Sequence, residues 1–282
     1  MTSARLLHLS DTHLTVPGRL HQGRVDTTAA LRHLLAGLAP LAGLDAVVVS
    51  GDVSDDGSAE SYTTARDLVG AFAAARGAHV VWVPGNHDQR GPFARVLLDR
   101  DGGPGPLDAV HDVAGLRVVA LDSSVPGRGY GELRPGQLAR LRRVLAEPAP
   151  RGSVVVVHHP PLPAPTALHE ALRLQRPQEL LAALAGTDVR AVLGGHYHHP
   201  YVADLRGIHV VVAPGVANRT DVLVAPGRER AVRGSGACLL ELDADTVRTT
   251  VLAVPAPGDG EEVLLLDEES VARIAAAAGV PG

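Results

Sequence analysis

The chain has 282 residues, 45% of them hydrophobic, and a net charge of -5. It can bury one large core or at most two, and it lacks the basic stripe that duplex nucleic acid requires, so nucleic-acid polymers are not expected partners. Lysine is absent and all 26 basic residues are Arg, which removes Walker-type and Schiff-base chemistry; the single Cys238 allows neither an intrachain disulfide nor a cysteine zinc cluster.

The first strand is expected at once, over residues 6–10, and it runs into Asp11-Thr12-His13. Helical apolar spacing over 29–41 is followed by a β-branched run at 46–50 that ends in Gly51-Asp52. A second helix is predicted over 61–75, then a strand at 79–84 leading into Gly85-Asn86-His87-Asp88. Helical spacing recurs at 134–146. The all-valine run 154–157 precedes His158-His159-Pro160, a fourth helix fits 177–185, and the strand at 189–193 precedes Gly194-Gly195-His196-Tyr197-His198.

Alternation of strand and helix argues for an α/β protein. The strands read as nearly continuous apolar runs, buried on both faces. Later runs at 208–212, 237–242 and 247–254 have no helices between them, predicting a second, largely antiparallel sheet packed on the first. Residues 255–260, rich in Pro and Gly, read as a linker, and 267–278 as a short helix with Asp267 at its N-cap. The expected organisation is a catalytic domain over 1–254, then a linker and C-terminal helical tail over 255–282. No run approaches the ~18 apolar residues that cross a bilayer, and no apolar leader precedes the first strand, so a cytoplasmic protein without a transmembrane segment is expected.

Five separated segments therefore place metal-ligand side chains just after a predicted strand, where strand ends converge. Carboxylate, imidazole and one neutral amide are hard or borderline donors, suited to Fe, Mn or Zn, with Co accepted by similar sets. An Asp such as Asp52 can span two cations, leaving Asp11, His13 and one His for one ion, and Asn86 with two His for the other. Two ions roughly 3.5–4 Å apart share a water, lower its pKa and clamp an in-line displacement, most naturally at a phosphorus ester.

Asp-x-His, Gly-Asp, Gly-Asn-His-Asp, a His after a strand and Gly-His-x-His, in that order, resemble the calcineurin-like metallophosphoesterase superfamily. The runs His8-Leu9-Ser10-Asp11-Thr12-His13-Leu14, Val83-Pro84-Gly85-Asn86-His87-Asp88, Leu121-Asp122-Ser123-Ser124-Val125-Pro126-Gly127 and His158-His159-Pro160-Pro161 look most like its class III cyclic-nucleotide phosphodiesterases. The resemblance implies a two-sheet β-sandwich flanked by helices, an αββα architecture. It implies Asp11, His13, Asp52 and His198 at one metal, and Asp52, Asn86, His158 and His196 at the other, with Fe and Mn the favoured ions. His159 is left in a supporting role. His87 would stabilise the transition state or protonate the leaving oxygen, with Asp88 as its orienting carboxylate.

The implied reaction is hydrolysis of a cyclic nucleotide, 3′,5′-cyclic AMP foremost, by a hydroxide shared between the ions. The alternatives are a broader diesterase acting on 2′,3′-cyclic nucleotides, glycerophosphodiesters or aryl diesters, and, in another class, an idle metal-binding scaffold. Relatives imply a homodimer. In one departure, Asp56 stands where the protein phosphatases of the superfamily carry an Arg for the phosphate, which favours monoanionic diesters. In another, Arg128-Gly129-Tyr130 follows Pro126-Gly127 where some relatives carry a His.

His21, Arg128, Tyr130 and His199 are candidates for lining the substrate pocket. By contrast His8, His33, His79, His111, His169 and His209 read as core or surface histidines, and Asp122, Asp55 and Asp56 as turn or capping carboxylates.

Overall fold

The computed structural model describes residues 3–278; the end of the tail, 279–282, lies outside the described residues. The chain opens with β1 (Ala4–Leu9), α1 (Thr27–Gly37), β2 (Ala46–Val49), α2 (Ala59–Ala74), β3 (His79–Trp82) and α3 (Arg90–Leu97). It continues through β4 (Ala109–Val113), β5 (Leu116–Leu121), α4 (Pro135–Val144), β6 (Ser153–Val157), α5 (Ala167–Ala171), α6 (Pro177–Leu184) and β7 (Val189–Gly194). The last part holds β8 (Tyr201–Leu205), β9 (Ile208–Val212), β10 (Arg219–Thr220), β11 (Glu229–Val232), β12 (Gly236–Leu242), β13 (Val247–Ala253), β14 (Glu262–Leu266) and α7 (Glu268–Ala278).

Two large sheets stack face to face. One has the order β13-β12-β1-β2-β3, the other β4-β5-β6-β7-β9-β8. Leu6, Val48 and Val81 of the first meet Val118, Val154, Val156 and Leu193 of the second, all fully buried. The outer face of the first sheet carries α1, α2 and α3 through Leu31, Tyr62 and Phe93; that of the second carries α4 and α6 through Leu138, Leu141 and Leu180. The result is the expected helix–sheet–sheet–helix sandwich. Each buried Val or Leu contributes about 1.5–3 kcal/mol, while an exposed pair such as Arg66–Asp67 gives at most about 1 kcal/mol. The seam between the sheets therefore holds the fold.

The partition of strands differs from the sequence expectation. The strands carrying the motifs do not share one sheet: β1, β2 and β3 lie in the first, β6 and β7 in the second. Nor do the late strands form a sheet of their own. Instead β9 joins β7 in parallel, while β12 extends the first sheet antiparallel to β1 and β13 adds to its edge antiparallel to β12. Burial on both faces makes these runs look alike in sequence, and periodicity carries no information on pairing partners. A third, small sheet, β10-β11-β14, recruits residues 262–266 from a stretch to which the sequence assigned no element. No described helix is long and apolar enough to cross a membrane.

Candidate metal centre

Each motif follows the carboxyl end of its strand: Asp11 and His13 follow β1, Asp52 follows β2, Asn86 follows β3, His158 follows β6, and His196 and His198 follow β7. The two sheets present these ends to one another. Backbone bonds stitch the loops together: Asp11 N–H donates to Gly51 O at 3.0 Å within the first sheet, Gly195 N–H to His158 O at 2.9 Å within the second, and Ala217 N–H to Asp11 O at 3.0 Å across the seam. Asp11, His13, Asp52, His196 and His198 all have positive φ, between 41° and 68°, a left-handed backbone that costs non-glycine residues on the order of 1 kcal/mol or more each. A Cβ on Gly195 would stand 1.8 Å from Ser10 Oγ. Only glycine lets β7 hand its loop to the β1 loop so closely.

Asp52 is the hub. Its Oδ1 accepts the His87 backbone N–H at 2.9 Å, and its Oδ2 lies 3.6 Å from His13 Nε2 and 3.4 Å from His158 Nε2. On one side of it, His198 Nε2 is 3.1 Å from His13 Nε2 and 3.4 Å from Asp11 Oδ1. On the other, Asn86 Oδ1, His158 Nε2 and His196 Nε2 are buried polar atoms without a hydrogen-bond partner.

The imidazoles are oriented by their far nitrogens. His13 Nδ1–H donates to Asp55 Oδ1 at 3.1 Å, His158 Nδ1–H to Ser50 O at 2.8 Å, and His198 Nδ1–H to Asn218 Oδ1 at 2.9 Å. Carboxylate and carbonyl acceptors hold each Nδ1–H and turn each Nε2 inward, a lone pair wherever the ring is neutral. Burial lowers His13 and His198 to about 4, so both are neutral at pH 7. Two lone pairs 3.1 Å apart with no proton between them repel unless a cation joins them, and three orphaned donors across Asp52 make the same demand. The residues present fit two cations.

The charges agree. Burial alone would raise the Asp52 carboxyl, but His158 and His87 override it and hold it well below the usual range. Burial would lower His158, yet Asp52 lifts it to about 9; a cation arriving there displaces a proton.

Several residues sit elsewhere than the sequence suggested. Asp88 does not orient His87. Its carboxylate accepts the backbone N–H groups of Gly85, Val53 and Ser54 at 2.8–3.1 Å, tying the β3 loop to the Asp52 loop, and burial with the nearby Asp52 charge pushes it up to about 7. The carboxylate facing His87 Nδ1, at 3.6 Å, is Asp55. The same Asp55 oxygen is 3.1 Å from His21 Nδ1, so a residue read as a turn former bonds His13 and faces two further imidazoles. Against the opposing effect of burial, the bonds from His13 and His21 keep its carboxyl far below the usual range.

Asp56 caps the loop, accepting Val16 N–H at 2.8 Å and Ser58 N–H at 3.1 Å. Of the four pocket candidates, His21 lines the cavity over the centre, where Asn218 Nδ2 donates to its Nε2 at 3.1 Å. Arg128, Tyr130 and His199 do not line that cavity among the described residues. Arg128 donates to the Ala278 carbonyl, Tyr130 is buried, and His199 Nδ1 bonds Thr220 O. Their proximity in sequence to Pro126-Gly127 and His198 said nothing of direction.

His159 has both nitrogens engaged, Nδ1 with Ser123 Oγ at 2.8 Å and Nε2 with Gly129 O at 3.1 Å. That separates it from His158, whose Nε2 is orphaned. Sequence reasoning missed His169, which packs edge-on to His196 with ring centroids 5.6 Å apart, and Glu229, a buried carboxylate in the same cavity. Neither lies in a motif, and only the fold brings α5 and β11 to the centre.

A sequence model of the calcineurin-like phosphoesterase family matches residues 4–200. A probable cyclic nucleotide phosphodiesterase of Rhodococcus erythropolis is 40% identical over 98% of this chain and 91% of its own length. A cAMP/cGMP dual specificity phosphodiesterase of Mycobacterium tuberculosis is 42% identical over 92% of this chain and 81% of its own. Among solved structures, a dimetal phosphatase from Danio rerio superposes with a TM-score of 0.64, covering 90% of this chain and 97% of that one at 15% identity, a likeness of fold.

Proposed function

The chain belongs to the calcineurin-like phosphoesterase family, and on that footing we propose that it is a dinuclear metal-dependent phosphodiesterase hydrolysing 3′,5′-cyclic nucleotides, with cyclic AMP favoured. The observation that carries the reading is the pair of donor sets sharing Asp52, with unpartnered Asn86, His158 and His196 atoms on one side and the Asp11, His13 and His198 cluster on the other. The cyclic-nucleotide substrates named for two relatives at 40% and 42% identity support the substrate class.

Asp11, His13, Asp52 and His198 would hold one ion, and Asp52, Asn86, His158 and His196 the other. The donor set suits iron and manganese, with zinc and cobalt acceptable to the same ligands. When bound, such a pair supplies Lewis acidity to a phosphoryl oxygen and a water of near-neutral pKa.

The remaining work falls to the protein. His87 lines the cavity with its side chain 42% exposed, and its backbone is pinned to Asp52. With Asp55 nearer to Nδ1, Nε2 is the nitrogen left to donate a proton to the leaving ester oxygen. Asp55 holds His13, His21 and His87 in mutual register, and Asp88 ties together the two loops that carry Asp52 and His87.

Turnover with manganese supplied tests the reading. The substrates are 3′,5′- and 2′,3′-cyclic nucleotides, a glycerophosphodiester, bis-nitrophenyl phosphate and nitrophenyl phosphate. The highest kcat/KM is expected on 3′,5′-cyclic nucleotides. A preference for nitrophenyl phosphate over its diester would sink the diesterase reading, and full metal loading with no turnover of any substrate would leave a metal-binding scaffold.

A further inference from the structure

The cavity over the metal ligands extends to an end that phosphate hydrolysis leaves unused. Glu229 stands there, at the start of β11, with 4% of its surface exposed. Thr166 Oγ1–H donates to its Oε2 at 2.5 Å. Among the described residues no other hydrogen bond reaches the carboxylate; Oε1 lies 3.7 Å from His169 Nδ1. His169 in turn packs on His196, so Glu229 lies one side chain beyond the donor cluster.

Buried carboxylates are ordinarily matched by a cation or several hydrogen bonds. This one has a single hydroxyl, on Oε2, and the residue lines the cavity. Leu168, Leu172, Ala231 and Leu264 line the same space. Apolar walls with one convergent acceptor suit a flat ring that carries a donor on its edge. A nucleobase has that form: its faces pack on apolar side chains, and adenine, guanine and cytosine present an amino group at the rim. A glycerol or alkylammonium headgroup would match the carboxylate while leaving the apolar walls without a partner.

Resting on the phosphodiesterase reading, we propose that Glu229 and these four apolar side chains form a nucleobase subsite in which Glu229 Oε1 accepts a hydrogen bond from the amino group of the substrate's base. Thr166 is a positioning residue, since its bond occupies Oε2 and leaves Oε1 for the base. Glu229 comes from the small sheet β10-β11-β14 and Thr166 from the N-cap of α5, so two elements outside the sandwich together define the subsite.

The test uses the manganese-loaded, full-length protein. In Glu229→Gln, the ratio of kcat/KM on 3′,5′-cyclic AMP or GMP to that on bis-nitrophenyl phosphate, which has no base, should fall about tenfold or more, as loss of a hydrogen bond to a charged group predicts. The drop should sit mainly in KM. An unchanged ratio overturns the proposal, and so does a selective loss on glycerophosphoethanolamine, which would assign Glu229 to an ammonium group.

A second measurement needs no variant. As inhibitors of bis-nitrophenyl phosphate hydrolysis by the wild type, adenosine and guanosine 5′-monophosphates should act at about one-tenth or less of the ribose 5-phosphate concentration, and equal potency means that no base subsite exists. Wild-type failure on cyclic nucleotides would refute the parent reading by itself, while the inhibitor comparison would still report on the subsite.

Discussion

His13 Nδ1 lies 3.1 Å from Asp55 Oδ1, and this contact decides which nitrogen of His13 faces the donor cluster. Asp55→Ala should therefore weaken the ion held by Asp11, His13 and His198 by about 10–100-fold, the usual cost of losing a ligand's outer partner. The ion on the Asn86 side should be retained. Stepwise metal titration with elemental analysis checks this, and equal weakening of both sites would show that Asp55 supports the loop as a whole and no ligand in particular.

Asp52 faces both donor sets, so Asp52→Ala should lose both ions or nearly so. His159→Ala should keep them, because both nitrogens of His159 are already engaged. Metal content of the purified variants decides. Two tightly held ions per chain in Asp52→Ala would contradict the assignment.

His87→Ala should load metal normally and turn over more slowly by roughly 10²–10⁴-fold, the range for loss of a general acid. The defect should shrink on nitrophenyl esters, whose leaving group needs little protonation. Equal losses on activated and unactivated diesters would remove the proton-donor role.

Asp56 is committed to the N–H groups of Val16 and Ser58 and does not line the cavity among the described residues. Although Arg at this position marks the protein phosphatases, Asp56→Arg should lower stability by about 0.5–2 kcal/mol, the cost of a lost cap, and leave the diester-to-monoester ratio alone. Urea denaturation and the two nitrophenyl substrates measure both; a rise in monoester turnover would place residue 56 at the phosphate.

Glu229 carries a pH signature in the metal-free protein. Burial raises its carboxyl from 4.5 to about 7, partly offset by Thr166. The folded state thus holds the proton more tightly than the unfolded chain. Its contribution to stability is fully present below about 4.5 and is lost as pH rises through about 7. Glu229→Gln is neutral throughout, so after chelation it should match wild type near pH 4.5 and exceed it above pH 7 by up to ~3 kcal/mol. Parallel pH profiles of the two proteins would show that Glu229 ionises freely.

The metal ligands were legible in sequence because they follow strands: a buried β-branched run such as 154–157 announces its own end, and His158 stands at it. The sandwich was legible through the alternation of runs and amphipathic helices. Pairing was not. Nothing in Val189–Leu193 says that its neighbours will be Ser153–Val157 on one side and Ile208–Val212 on the other, because partner choice is a property of the packed seam.

Side-chain direction was hidden for the same reason. Asp55 and Asp56 are adjacent, yet one faces three imidazoles and the other caps a loop, and composition does not reveal which way either side chain turns. Glu229 and His169 come to the cavity only through the small sheet and α5, far from any motif.

The ligands issue from loops on both sheets, β1, β2 and β3 on one and β6 and β7 on the other. An ion gripped among them is a rivet through the sandwich. It binds the folded chain and not the unfolded one, so free metal at a thousand times its dissociation constant adds ~4 kcal/mol per site, comparable with the whole margin of many domains. Stripped of metal, the chain keeps its left-handed loop residues and its facing lone pairs but loses the fastener that offset them. Starvation for metal should then shorten the protein's survival as well as silence it, and its abundance would register the supply of the ion it needs.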